Sequence, residues 1–242
     1  MKIGIIGFGR LGKLITRYLA QDATVLVYDK IDYSKDITEA GGISSSLQEV
    51  CDCTVVIPFV PISSFEECIL EIKDLLKPGC LVADVCSVKL IPTEIMQKHL
   101  PESVQILGTH PMFGPDSAKE TLFGSKLVIS KIRIEDKLYS DIKIYFEKHG
   151  LKVIEATPDQ HDRQISHSLL LAHYIGRGLI ELNASPLEID TLGYRRLLKI
   201  LGTVENDSWQ LFEDMNHYNP YARETRKEFL AAMGALDEKV SQ

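Results

Sequence analysis

The amino-acid sequence predicts an α/β fold, with a doubly wound parallel β-sheet covered by helices on both faces and an all-helical domain after it. Two observations predict this fold. From residue 2 to residue 155, short apolar runs alternate with stretches of helical periodicity, as in parallel sheets. After residue 156 no strand-like run appears. The sequence therefore predicts two domains, residues 1–155 and residues 156–242.

Seven strands are predicted in the first domain, each a short apolar run bounded by polar or turn-forming residues. They are expected at residues 2–7, 23–29, 53–58, 81–85, 104–107, 126–130 and 152–155. A helix is predicted over residues 10–21, because Leu11, Ile15 and Leu19 follow the spacing of one helix face.

The second domain is predicted to begin with a helix at Thr157-Pro158-Asp159-Gln160, where Thr is a good N-cap and Pro fits the first helical position. Four helices are expected, near residues 158–184, 187–203, 206–216 and 219–240. Capping candidates precede the third helix at residues 206–208, and Asn219-Pro220 opens the fourth.

The composition excludes several classes of protein. A formal net charge of -7 argues against nucleic acid as a main partner. No run of 18 apolar residues indicates a membrane span, and no signal-peptide pattern follows Met1. The five cysteines are odd in number and form no C-x-x-C pair. We therefore expect buried thiols in a reducing cytoplasm, without disulfides or a metal site.

A glycine-rich motif follows the first predicted strand and opens the first helix, which is the context of a Rossmann-type dinucleotide site. The first glycine permits a tight turn, the second lets the backbone approach a pyrophosphate, and the third lets helix and strand pack closely. The alternative is a glycine turn without a ligand. The predicted cofactor-binding residues of this motif are Gly7, Phe8, Gly9, Arg10, Leu11 and Gly12.

Asp29 ends the second predicted strand, 20 positions after Gly9. A carboxylate there binds ribose hydroxyls and repels a 2′-phosphate, so the sequence favours NAD over NADP. Lys30 follows and could offset part of that repulsion. The alternative for Asp29 is a solvated acid at a strand end.

Two polar residues follow neighbouring strands of the predicted sheet. Ser87 lies after the fourth strand and His110 after the fifth, and ligands of such sheets bind at the carboxyl ends of strands. A neutral imidazole can accept a proton from an alcohol near pH 7. Taken singly, a histidine here is more often a structural hydrogen bonder. Lys89 either holds this loop, attracts an anionic ligand or is simply solvated.

The first helix of the second domain carries a further polar set. Ser166, His173 and Arg177 have the spacing i, i+7 and i+11, which puts them on one helix face. Ser168 and the pair His161-Asp162 belong to the same segment. Singly these groups are usually surface residues, but beside a nicotinamide site they become candidates for substrate binding.

These motifs together resemble the prephenate/arogenate dehydrogenase family, most of all its plant and cyanobacterial arogenate dehydrogenase branch. The resemblance is carried by Gly-Thr-His-Pro-Met-Phe-Gly-Pro at 108–115, by Asp-x-x-Ser-Val-Lys at 84–89 and by His161-Asp162. It extends through Gly176-Arg177 and Gly193-Tyr194 and covers essentially the whole chain.

The resemblance implies NAD-dependent oxidative decarboxylation of arogenate or prephenate, in the biosynthesis of tyrosine. His110 would accept the proton of the ring hydroxyl, Ser87 would hydrogen-bond that hydroxyl or His110, and hydride would pass to the nicotinamide. Loss of CO2 and aromatisation would drive the step. His173, with Ser168 and Arg177, would contact the substrate. The helical domain would form a homodimer.

Two features depart from the family pattern. Where many bacterial members carry an arginine that binds a substrate carboxylate, this chain has Lys199, which cannot make the bidentate contact. Arg195 and Arg196 are nearby in sequence. The plant enzymes favour NADP and carry what looks like Ser-Arg at the position where this chain has Asp29-Lys30. This difference favours NAD for this chain.

Two other functions stay open on the sequence alone. The first is another two-domain NAD(P)-dependent dehydrogenase of hydroxy acids or imines, although such enzymes typically rely on a lysine in the helical domain. The second is a non-catalytic NAD-binding regulator, which Lys199 leaves possible and which the combination of Ser87, His110 and His173 argues against.

Overall fold

The computed structural model describes residues 1–118 and 120–241. The chain forms two compact units, Met1–Asp159 and Gln160–Gln242. The first holds all strands of the described chain, and the second is helical.

A single eight-stranded sheet runs through the first unit, in the order β3-β2-β1-β4-β5-β6-β7-β8. All seven predicted strands are present. The additional strand, β3, has only two residues, too few to produce a periodic pattern in the sequence. The strands are β1 (Lys2–Ile6), β2 (Thr24–Tyr28), β3 (Ile43–Ser44), β4 (Val55–Pro58), β5 (Leu81–Asp84), β6 (Gln105–Pro111), β7 (Lys126–Arg133) and β8 (Lys152–Glu155).

The predicted parallel sheet is present from β1 to β6, and the last two strands depart from it. β7 pairs antiparallel with β6, and β8 pairs parallel with β7, so these two strands run against the other six. A parallel return needs a crossover connection, usually a helix. The described residues between β6 and β7 contain no helix, and they return the chain directly to the neighbouring position. The sheet is therefore mixed, with a parallel Rossmann-type part from β1 to β6.

Six α-helices connect the strands in the described part of this unit. The third begins with a capping box, in which the Ser46 side chain accepts from Glu49 N–H and the Glu49 side chain accepts from Ser46 N–H. The helices are α1 (Arg10–Leu19), α2 (Ser34–Glu39), α3 (Leu47–Cys51), α4 (Phe65–Ile72), α5 (Leu90–His99) and α6 (Asp136–Lys148).

The core of the first unit lies on the faces of the sheet. All four residues of β5 are buried, as expected for a strand covered by helices on both faces. One apolar cluster gathers around Ile5, Val25 and Val27, and another around Leu81, Leu107 and Ile129. Each such side chain contributes about 1.5–3 kcal/mol when fully buried, so the central strands are held firmly and can position the loops at their ends.

The second unit consists of the four predicted helical regions. The first is continuous, from α7 (Pro158–Ile165) through a π-helical segment (Ser166–Leu170) to α8 (Leu171–Glu181). It is followed by α9 (Leu192–Leu198), α10 (Trp209–Tyr218) and α11 (Ala222–Val240). Of the predicted capping candidates, Ser208 is the one that caps α10, accepting from Leu211 N–H.

None of the helices in the described part of the chain combines the length and the apolar character needed to cross a membrane.

Candidate functional site

The glycine loop between β1 and α1 requires glycine at two of its positions. Gly7 has a φ of 99°, and a Cβ there would lie 2.4 Å from the Phe59 carbonyl oxygen. A Cβ on Gly12 would lie 2.5 Å from the Gly7 carbonyl oxygen. The roles predicted for these two glycines, a tight turn and close helix packing, therefore agree with the geometry.

Gly9 differs from Gly7 and Gly12 because the space beside it is open. It is the N-cap of α1 and provides no side-chain cap, and no atom lies within 4 Å of a Cβ built on it. The N–H groups of a first helical turn have no partner within the helix and favour anions. Bare backbone, open space and a helix N-terminus together fit a pyrophosphate group, so this loop is suited to a dinucleotide.

Asp29 is held beside the glycine loop by two backbone bonds. Phe8 N–H donates to its Oδ2 at 2.6 Å, and Ile31 N–H donates to its Oδ1 at 2.8 Å. A carboxylate oxygen can accept more than one bond, so both oxygens keep capacity for hydroxyl groups. A fixed negative charge at this position fits a ribose and opposes a 2′-phosphate.

The other predicted cofactor residues differ in burial and in their ion-pair partners. Phe8 is buried in the core with only its backbone at the loop, and Leu11 is partly buried. Arg10 pairs with Asp116 at 2.7 Å. Lys30 lies on the surface, with its Nζ 3.8 Å from Glu67 and 4.0 Å from Glu71, both on α4. Because two acids share the Lys30 charge, it offsets less of the Asp29 charge than the sequence suggested.

Ser87 and His110 lie at one edge of the sheet. β5 and β6 are parallel neighbours, with Asp84 beside Gly108 in register. Ser87 follows β5 by three residues, and His110 is the last residue but one of β6. The glycine loop follows β1, which runs parallel to β4 and through it to β5. The carboxyl edge of the sheet therefore brings together the predicted dinucleotide loop and both predicted catalytic residues.

The two predicted catalytic residues differ in exposure. His110 is 4% exposed and is paired across the sheet with Val128 of β7. Ser87 is partly exposed in the loop between β5 and α5. Solvent therefore reaches Ser87 in part, while the imidazole of His110 is largely withdrawn from solvent.

In the helical unit, His173 is the predicted substrate residue with the most unusual surroundings. It is 4% exposed, and its Nε2 lies 3.7 Å from Asp207 Oδ2. Its Nδ1 is buried and has no hydrogen-bond partner among the described residues. Burial lowers the pKa of His173, which Asp207 opposes and Arg177 reinforces. The surroundings therefore favour the neutral imidazole, and its unbonded Nδ1 is a candidate for contact with a ligand.

Arg177 makes hydrogen bonds and a ring contact with the start of α10. Its Nη2 donates to the backbone carbonyls of Asp207 and Ser208, and its guanidinium lies 5.6 Å from the Trp209 ring centroid. Only its Nε is buried without a bond among the described residues. The side chain predicted to bind substrate therefore joins α8 to α10.

Ser168 and Lys199, also predicted to bind substrate, are both exposed. Ser168 Oγ donates to the Gln164 carbonyl at 2.7 Å, within its own helix. Lys199 lies at the C-terminal end of α9. Of the two arginines near it, Arg195 pairs with Asp190 at 2.6 Å.

The predicted face of Ser166, His173 and Arg177 rested on 3.6 residues per turn. A π-helical segment over Ser166–Leu170 interrupts that period, so the count from Ser166 to His173 no longer fixes a common face. His173 and Arg177 both follow this segment, one turn apart in α8, and both contact Asp207.

Asp207 lies beside both His173 and Arg177, although the sequence indicated it only as a capping candidate. No spacing rule connects it to His173, which lies 34 positions earlier in the chain. The pair His161-Asp162 is also buried, with 2.7 Å between His161 Nδ1 and Asp162 Oδ1. Asn219 Nδ2 donates to the Asp162 carbonyl, which ties α7 to the C-terminal end of α10.

Two family models match this chain. That of the prephenate dehydrogenase nucleotide-binding domain matches residues 14–155, and that of the TYRAAT1-like C-terminal domain matches residues 179–242. The chain is 33% identical to arogenate dehydrogenase 1, chloroplastic, of Arabidopsis thaliana over 98% of its own length. It spans only 38% of the length of that relative.

Solved structures share the fold. An arogenate dehydrogenase of Synechocystis matches with a TM-score of 0.75 and 19% identity, over 100% of this chain and 92% of that one. The prephenate dehydrogenase of A. aeolicus, in complex with hydroxyphenyl propionate and NAD+, matches with a TM-score of 0.77 and 19% identity, over 100% and 91%.

Proposed function

Because the chain belongs to the prephenate dehydrogenase family, we propose that it is an NAD-dependent dehydrogenase that oxidatively decarboxylates arogenate or prephenate. The observation that carries this proposal is the shared carboxyl edge of β1, β5 and β6, which bears the glycine loop, Ser87 and His110. The product would be tyrosine or 4-hydroxyphenylpyruvate, and the pathway tyrosine biosynthesis.

The residues of the first unit fit NAD. The backbone around Gly9 would hold the pyrophosphate, and Asp29 would hold the adenosine ribose. NAD bound there would supply the hydride acceptor for the oxidation of the substrate. The Asp29 charge disfavours NADP, and Lys30 relieves little of this effect because Glu67 and Glu71 share its charge.

His110 and Ser87 would handle the proton. Oxidation of the ring alcohol requires a group that accepts the hydroxyl proton, and an imidazole does this near neutral pH. We assign that role to His110. Ser87 can both donate and accept, so we assign it the orientation of the hydroxyl or of the imidazole. Withdrawal of His110 from solvent supports this assignment, since a largely buried base exchanges its proton with few competing waters.

We assign substrate contact in the helical unit first to His173, whose buried Nδ1 is available. Arg177, Ser168 and Lys199 remain candidates with weaker support, because Arg177 is engaged by α10 and the other two are exposed. The proposed division is a dinucleotide-binding domain over residues 1–155 and a substrate and dimerisation domain over residues 156–242.

The apolar surface of the helical unit supports a homodimer. On α11, exposed Leu230, Met233 and Leu236 recur every three residues on one side of the helix. Such surface on a helical unit is typical of an interface. The large apolar side chains exposed in this unit are Ile180, Leu182, Leu187, Ile189, Leu192, Leu197, Trp209, Leu230, Met233, Leu236 and Val240. Light scattering on purified protein tests the dimer, and a monomer at micromolar concentration would contradict it.

All five cysteines are buried, which supports a reducing compartment, and we propose the cytoplasm. Burial raises the pKa of Cys51, Cys68 and Cys80 to about 12, so these thiols are unreactive at neutral pH.

The experiment is an absorbance assay of NADH formation with arogenate and with prephenate, each with NAD and with NADP. We expect turnover of at least one substrate and a higher kcat/KM with NAD. NAD binding without turnover of either substrate would reject the proposed reaction. The chain would then be a dehydrogenase of another hydroxy acid or a non-catalytic NAD-binding regulator.

A further inference from the structure

A buried ion pair lies beneath the loop that carries Ser87. Asp84, the last residue of β5, pairs with Lys89, and the side chains of both residues are 0% exposed. Lys89 is also the N-cap residue of α5, and Thr93 Oγ1 donates to its carbonyl. The pair therefore joins the end of a central strand to the beginning of the next helix.

One oxygen of the Asp84 carboxylate organises the residues between them, 85–89, which we name the Ser87 loop. Asp84 Oδ1 accepts from Cys86 N–H at 2.9 Å and also from Lys89 Nζ. The two donors stand on either side of Ser87 in the chain. Contacts at both ends of a five-residue loop leave it little freedom, so they determine where the Ser87 hydroxyl can point.

Asp84 also connects this loop to the strand that carries His110. Thr109 Oγ1 donates to the backbone carbonyl of Asp84, and Gly108 lies beside Asp84 in the register of β5 and β6. Thr109 directly precedes His110 in the chain. Asp84 is thus bonded both to the Ser87 loop and to the residue next to His110.

The environment of the pair argues for a geometric role. Burying two charges is costly, and a well-packed apolar pair can stabilise a fold as well or better. Burial raises the pKa of Asp84, while Lys89 and the Cys86 N–H oppose that shift. Lys89 has no accessible side-chain surface, so it is neither the solvated lysine nor the anion-attracting group that its sequence position left open.

We infer that Asp84 and Lys89 are positioning residues, whose buried ion pair holds the Ser87 loop against β6 and so sets the placement of Ser87 relative to His110. The effect on the loop stands on the structure alone, and the effect on catalysis rests on the function proposed above.

The decisive variant replaces the ion pair with a neutral pair of similar volume, Asp84→Asn with Lys89→Met. Hydrogen–deuterium exchange of the cofactor-free protein reports on the loop without any turnover. We expect exchange in residues 85–90 to accelerate at least tenfold, with exchange in β1 and the glycine loop unchanged. The matched control makes the same two kinds of substitution, Asp136→Asn with Lys131→Met, in an exposed ion pair of the same five-residue separation. The exchange rates of residues 85–90 should then stay as in the wild type.

Unchanged exchange in residues 85–90 of the folded double variant would overturn the inference. If that variant does not fold, the inference is tested in the wild-type protein by measuring the exchange rate of the Cys86 amide by NMR. A protected amide, slowed at least a hundredfold relative to an unstructured peptide, is expected from a donor to a buried carboxylate. Exchange at the rate of an exposed loop would reject the proposal.

Kinetics separate this inference from the proposed function. We expect kcat of the double variant to fall about 10- to 100-fold, while KM and Kd for NAD change less than threefold, because the dinucleotide loop is on β1 and α1. A rise in KM for NAD with kcat unchanged would contradict a positioning role at Ser87. If the wild type turns over neither arogenate nor prephenate, the proposed function fails and the exchange result still decides the role of the ion pair.

Discussion

The His173 imidazole lies 3.7 Å from the Asp207 carboxylate in the helical unit, although 34 positions separate the two residues in the sequence. Burial lowers the pKa of His173 from its ordinary value of 6.5, and the nearby carboxylate only partly opposes this shift. The histidine is therefore held neutral by its surroundings.

The His173 shift makes stability depend on pH. Since the folded-state pKa of His173 is depressed, the unfolded chain binds more protons just below pH 6.5 than the folded chain does. The His173 contribution is thus fully present above pH 6.5 and is lost as the pH falls towards the folded-state value. We expect the fall in Tm between pH 7.5 and pH 5.5 to be smaller in His173→Gln than in the wild type. An equal fall in both proteins would contradict this account.

Two glycine variants separate ligand binding from folding in the dinucleotide loop. Gly9→Ala adds a Cβ into open space, so Tm should stay within a few degrees while NAD binding weakens at least tenfold. Gly12→Ala places a Cβ 2.5 Å from the Gly7 carbonyl oxygen, so both Tm and NAD binding should fall. Calorimetry and thermal melting measure the two effects. Full NAD affinity in Gly9→Ala would remove this loop as the pyrophosphate site.

Asp29→Asn should change cofactor preference. The amide oxygen can still accept from Phe8 N–H, while the bond from Ile31 N–H and the negative charge are lost. We expect the NAD to NADP ratio of kcat/KM to drop about 10- to 100-fold, as for removal of one close like-charge repulsion. Lys30→Ala is the matched control. It should change the ratio less than about threefold, because exposed ion pairs such as those of Lys30 contribute little.

His110→Asn should lower kcat about 10²–10⁴-fold, the usual contribution of a general base, with NAD affinity retained. His99→Asn is a control, since His99 hydrogen-bonds Glu66 at the end of α5 and has no assigned role. Steady-state assays with arogenate and prephenate measure both variants. Near-wild-type kcat in His110→Asn would exclude this residue as the proton acceptor.

Arg177→Met should loosen the helical unit. The change removes bonds to two carbonyl groups and the contact of the guanidinium with Trp209, at a cost of about 1–3 kcal/mol. Trp209 is the single tryptophan of the chain, so its fluorescence reports this contact directly. We expect a lower Tm and a shifted emission maximum, and neither change in Arg196→Met, which alters an exposed residue of α9. An unshifted emission maximum in Arg177→Met would contradict the contact.

By itself, the sequence determined the local features of this protein. Seven strands, four helical regions of the second unit and the glycine loop were predictable because periodicity, capping and turn chemistry act over a few residues. The placement of Ser87 and His110 at the same edge of the sheet was also predictable, since the carboxyl ends of neighbouring parallel strands meet there.

The tertiary structure alone decided what depends on distant residues. The reversed direction of β7 appears only in its pairing with β6. The two-residue β3 is likewise defined by its pairing with β2. Asp207 joins His173 and Arg177 through helix packing, and the charge of Lys30 is shared by acids on α4. Whether Lys89 was solvated or buried could not be read from its neighbours in the chain. Burial is a property of the packed structure, and only there do Asp84 and Lys89 become a pair.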